Sequence, residues 1–169
     1  MRKDPNPAAP ERDALAQYLD YQRETILLKA EGLTQQQLAT TIPTSDLTLA
    51  GILYHLALVE ESWTEEDFSG LPAREPWNGV DWNADPDWEF RTATTLDPDA
   101  VRQRYRDACE RSRVVAEKAV SLDELSEKPL RSGARFTLRW MLLHLIEETA
   151  RHAGHADLLR EAIDGRTGE

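Results

Sequence analysis

The chain has 169 residues, of which 40% are hydrophobic and 30% charged, and its formal net charge is −11. That length suits one well-filled core, and the composition is globular and far from the disordered range. The acidic balance argues against nucleic acid and against an anionic membrane surface, both of which need basic groups, and no apolar run approaches the roughly 18–20 residues that span a bilayer.

The opening segment MRKDPNPAAPERD lacks the apolar core of a signal peptide. A single cysteine, Cys109, leaves no internal disulfide, so the expectation is a cytoplasmic protein. Leu15, Tyr18, Leu19, Gln22 and Ile26 recur at three- and four-residue spacing and predict a first helix over about 11–31, stopped by Gly32. A polar link follows, in which Pro43, Thr44, Ser45 and Asp46 read as an extended turn. Thr48 caps a second helix predicted over about 48–68. Residues 69–96 then change character, with Gly70, Pro72, Pro76, Gly79 and Pro86 set among Trp77, Trp82 and Trp88. Proline excludes a long regular helix there, and so long a connection can cross the length of a bundle, which allows the helices it joins to run parallel. Asp97 as cap, Pro98 in the first turn and Asp99 near the positive dipole end open a third helix over about 98–120. A second polar link contains Pro129 and Gly133. The fourth helix opens at Thr137 and runs over about 137–164 to Gly165. The expected fold is an all-α four-helix bundle in one domain over 1–169, with a long crossover between the second and third helices.

All four histidines fall on the second and fourth helices. His55 stands alone on the second; His144, His152 and His155 share the fourth with Glu147 and Glu148. Residues four apart lie on one helical face about 6 Å apart, a spacing that suits two ligands of one ion. Taking Leu138 as zero at about 100° per residue, the apolar face of the fourth helix spans roughly 300° to 40°. His152 falls at about 320° and Glu148 at about 280°, whereas His155 and His144 lie further out, near 260° and 240°. Glu148 and His152 are therefore the best-aimed pair. On the second helix, counted from Leu49, His55 sits at the edge of the apolar face near 240°, and Glu60 falls inside it near 20°, where a carboxylate needs a partner. A lone histidine on an apolar edge is more often a hydrogen-bonded core residue, and Glu-x-x-x-His is often a surface pair, so phase alone leaves both readings open.

The segments LYHLALVEESW and HLIEETARHAGHADLLREAIDG resemble the DinB-like superfamily. The nearer likeness is to its actinobacterial branch, which includes mycothiol-dependent maleylpyruvate isomerase and related mycothiol transferases. The resemblance implies a DinB-like four-helix bundle with one divalent metal ion held by His55, Glu148 and His152. Glu60, placed by its phase, either stands around the ligands or reaches solvent at a helix end; His144 and His155 are neighbours of the centre, and the resemblance makes the position of His144 a structural one. His155 departs from the pattern, since many members carry glutamine shortly after the last ligand. Two histidines and one carboxylate leave a coordination position open, as expected of a catalytic ion. Zinc suits the set, with nickel, iron or manganese as alternatives. The implied activity is transfer or isomerisation with a low-molecular-weight thiol, mycothiol or a relative, acting on a small electrophile. The alternatives are a non-catalytic metal-binding or small-ligand stress-response bundle and a metal-assisted hydrolase. Arg151 is a candidate for gripping a carboxylate of such a ligand. Trp77, Trp82 and Trp88 either roof the pocket or seal the side of the bundle. A homodimer built through a bundle face fits the family.

Overall fold

The structure, a computed structural model, describes residues 2–167. Its α-helices are α1 Glu11–Ala30, α2 Gln35–Leu38, α3 Leu49–Glu61, α4 Trp88–Ala93, α5 Pro98–Lys118 and α6 Leu138–Asp164. Four of them are long, and they form the bundle. The expected starts hold for chemical reasons that the sequence displays. Thr48 Oγ1 accepts from the Gly51 amide, Asp97 accepts from the Asp99 and Ala100 amides, and Thr137 accepts from the Trp140 amide. Each cap satisfies amides that have no partner within their own helix.

Pairing between side chains fixes the directions of the helices. Glu61 meets Arg104 and Glu65 meets Arg111, so α3 and α5 run parallel, as the long crossover allows. Glu11 meets Arg139 and Lys29 meets Asp157, so α1 and α6 also run parallel. Asp20 meets Arg113, whereas Arg102 bonds the Ala30 carbonyl, which sets α1 against α5. Trp63 lies on His144 while His55 meets Glu148, which sets α3 against α6. No helix among the described residues is long and apolar enough to cross a membrane.

The expected second helix changes its winding. It is α-helical to Glu61 and π-helical over Ser62–Phe68. Thr64 Oγ1 donates to the Glu60 carbonyl at 2.7 Å, a bond that loosens the regular ladder. The wider turn leaves Glu61 and Glu65 both buried against α5, where Arg104 and Arg111 reach Glu61, and Arg74 and Arg111 reach Glu65.

The crossover, 69–97, is pinned by the same groups. Trp77 is buried and its Nε1 donates to Glu61 at 2.9 Å, while Arg104 also bonds the Glu75 carbonyl. Tyr54, Trp77, Trp88 and Trp82 follow one another with ring centroids 4.8, 6.1 and 6.4 Å apart. These tryptophans seal the side of the bundle along α3. The polar link before α3 also holds a turn of helix, α2, closed by a reciprocal capping box between Thr34 and Gln37.

One ion pair crosses the core. Arg23 of α1 is 3% exposed and grips Glu60 of α3, 1% exposed, through two bonds of 2.6 Å. Its remaining donors go to Asp20 at 2.9 Å and to Ser112 of α5 at 2.8 Å, so one guanidinium ties three helices together.

Candidate metal centre

Glu148 and His152 lie one turn apart on the buried face of α6, as the helical phase predicts. The antiparallel α3 brings His55 opposite them. Nε2 of His55 and Nε2 of His152 each stand 3.4 Å from the same oxygen, Glu148 Oε1. The three donor atoms all lie within 4.8 Å of one another, and among the described residues no other group of histidine, cysteine or carboxylate side chains converges in this way. A separation of 3.4 Å is long for a charge-assisted hydrogen bond. It does fit two ligands of one tetrahedral ion, which at about 2.0–2.1 Å from the metal stand about 3.3–3.4 Å apart. Two imidazoles and a carboxylate on one side of a point suit zinc and leave its fourth position to a small molecule.

The other edge of each imidazole also has a neighbour. His55 Nδ1 lies 3.1 Å from Oε1 of Glu89, a buried residue of α4. Phe90 stacks on the same ring, with centroids 4.8 Å apart and planes 20° apart. This close approach of α4 depends on Gly51, one turn before His55. A Cβ at that position would stand 3.0 Å from Phe90 Cδ1 and 3.0 Å from Thr48 Oγ1. On the α6 side, His155 Nδ1 lies 3.5 Å from His152 Nδ1.

Burial, followed by the nearby His55, pulls the His152 pKa down from 6.5 to about 4 against the opposing pull of Glu148. The imidazole is therefore neutral at pH 7 with a lone pair ready for a metal. Because its folded pKa lies below the unfolded one, the unfolded chain binds more protons between about 4 and 6.5, and stability rises with pH across that window. Metal-stripped protein is thus expected to lose stability as the pH falls from 6.5 towards 4. In urea titrations His152→Gln should flatten this slope by up to about 1.36 kcal/mol per pH unit, the worth of one proton. An unchanged slope in the variant would count against a neutral, buried His152.

The other sequence candidates go elsewhere. Glu60 finds its partner in Arg23, so its bonds point into the core and not to His55 or His152. His144 packs on Trp63 and Trp140 at centroid distances of 4.5 and 5.3 Å, two turns along α6 from His152. Arg151 is exposed and paired with Glu147. His155 alone of these touches one of the three converging side chains, His152. Cys109 is buried, and burial reinforced by the charge of Glu60 pushes its thiol up to about 12, so it is no nucleophile. Two residues escaped the sequence reading. Arg23 had a signal, since it falls four after Leu19 and three before Ile26 on the apolar stripe of α1. Glu89 had none beyond its place between Trp88 and Phe90 in a segment without periodicity.

Comparison with known proteins bears on the same residues. The mycothiol-S-transferase family matches residues 14–165, which include all but the first three residues of α1, the other three long helices and the three converging side chains. The chain belongs to the mycothiol-S-transferase family. This is a DinB-like family, in agreement with the resemblance carried by the two histidine-bearing segments. Among solved structures, this mycothiol-S-transferase family member is similar to a conserved protein from Enterococcus faecalis, known from a crystal structure. The match has a TM-score of 0.66 at 16% identity over 94% of this chain and 100% of that one, which shows a shared fold. No curated protein matches the chain.

Proposed function

We propose that the protein is a metal-dependent thiol S-transferase in which His55, Glu148 and His152 hold one zinc ion and mycothiol is the thiol substrate. The observation that carries this is the approach of both Nε2 atoms to a single Glu148 oxygen at 3.4 Å, in a chain matched by a thiol-transferase family over 14–165. The whole chain is read as one domain around this centre. An ion at this site supplies Lewis acidity that lowers the pKa of a coordinated thiol and yields a nucleophile near neutral pH.

The protein's own residues prepare for that chemistry. His152 stays neutral through burial, and Glu148 contributes the single negative charge among the three ligands. Phe90 covers one face of His55 and limits access of water from that side. With its thiol held protonated, Cys109 cannot compete as a nucleophile, so the sulfur that reacts belongs to the substrate.

Cobalt-substituted protein titrated with mycothiol tests this. Thiolate-to-metal charge-transfer absorption is expected to rise with mycothiol and saturate at one equivalent. No spectral change with mycothiol, bacillithiol or glutathione would overturn the thiol chemistry and favour a hydrolase or a bundle that merely binds its ion.

A further inference from the structure

Glu89 is a buried carboxylate with a single partner. One oxygen meets His55 Nδ1 at 3.1 Å, and the other, Oε2, is buried and makes no hydrogen bond among the described residues. A buried carboxylate whose one partner is a single ring nitrogen is poorly compensated. The balance changes when a divalent cation sits on the opposite nitrogen. The Nδ1–H then becomes a stronger donor, and positive charge lies one imidazole ring away from Glu89. Glu89 and Glu148 together also match the two charges of the ion.

We propose that Glu89 is the positioning residue of the metal centre: from the crossover helix it holds His55 as the Nδ1–H tautomer, turns Nε2 towards Glu148 and His152, and raises the affinity for a divalent ion. This rests on the metal reading above and deepens it. It also gives the crossover a task, because α4 brings the carboxylate to the edge of His55 and Phe90 to its face. With Gly51 admitting this approach, docking of the crossover and readiness of the metal site become one event.

The test compares full-length wild type, Glu89→Met and Glu89→Gln. Zinc affinity is read by competition with a chromophoric chelator, thermal melting is followed after metal stripping, and the His55 tautomer is read by ¹⁵N NMR of the stripped protein. Glu89→Met should weaken zinc binding by about ten- to hundredfold, the usual effect of losing the partner of a metal-bound histidine. Glu89→Gln keeps a hydrogen-bonding group without the charge and should fall between wild type and Glu89→Met. Stripped Glu89→Met should melt no lower than stripped wild type, because an under-compensated buried charge is gone. A residue of purely structural importance would lower the melting point in both states. The stripped wild type should show His55 protonated at Nδ1, and Glu89→Met should lose that preference. Zinc affinity unchanged in both variants, or a melting point lowered equally with and without zinc, overturns the proposal. Wild type that binds no zinc instead defeats the metal reading itself, and the tautomer of His55 then still decides whether Glu89 orients the ring.

Discussion

His152→Ala is expected to abolish stoichiometric zinc binding, with affinity falling at least hundredfold, beyond the roughly ten- to hundredfold loss typical of outer partners. Two ligands remain after this change, and His152 is the donor that reaches Glu148 Oε1 from one turn along the same helix. A ligand that binds only the folded state stabilises it by about 2.7 kcal/mol at a hundredfold excess over its Kd. Wild type should therefore melt higher with zinc than without, whereas His152→Ala should melt at the same temperature in both conditions. His144→Ala serves as the control. That ring packs on Trp63 and Trp140 away from the donor atoms, so its loss should leave zinc affinity unchanged. Equal zinc binding by wild type and His152→Ala would remove the metal centre from this molecule.

The second large effect concerns stability alone. Arg23→Ala should lower stability by about 3–5 kcal/mol, the cost of leaving a buried carboxylate without its partner. For a chain of this length that corresponds to roughly 10 °C in Tm. Two bonds of 2.6 Å hold Glu60 to Arg23, and neither residue exceeds 3% exposure, so water cannot take over as partner. The double variant Arg23→Met/Glu60→Leu should recover most of that loss, because exchanging a buried ion pair for apolar groups of similar volume is often neutral or stabilising. Zinc affinity should be preserved in the double variant, since Glu60 makes no contact with the donor atoms. Urea denaturation of the two singles and the double gives the coupling directly. Single variants that cost less than about 1 kcal/mol would mean that the pair behaves like a surface ion pair.

These two sites differ in how far they could be read in advance. Helical phase alone ranks Glu148 and His152 above His144 and His155, because a helix of 3.6 residues per turn fixes which side chains share its buried face. The same wheel marks Glu60 as an acid inside an apolar face that needs a partner, without saying where the partner lies. That partner, Arg23, sits on a helix 37 residues earlier, and only the packing of α1 against α3 joins them. Winding was hidden too. The departure into π-helix over Ser62–Phe68 follows from a Thr64 bond to the Glu60 carbonyl and from arginines of α5 and the crossover that draw Glu61 and Glu65 inward, which a count along one helix does not contain.

The candidate metal centre shows the division most clearly. Local rules sufficed for four long helices, for caps at Thr48, Asp97 and Thr137, and for the shared inward aim of Glu148 and His152, since each depends on residues within a few positions of one another. The parallel course of α3 and α5, the meeting of His55 with Glu148, 93 residues further on, and the arrival of Glu89 and Phe90 at its ring depend on where a proline-rich crossover docks. No periodicity records that docking, because it is set by tryptophan packing, by a glycine with room for a phenylalanine and by charges buried between helices.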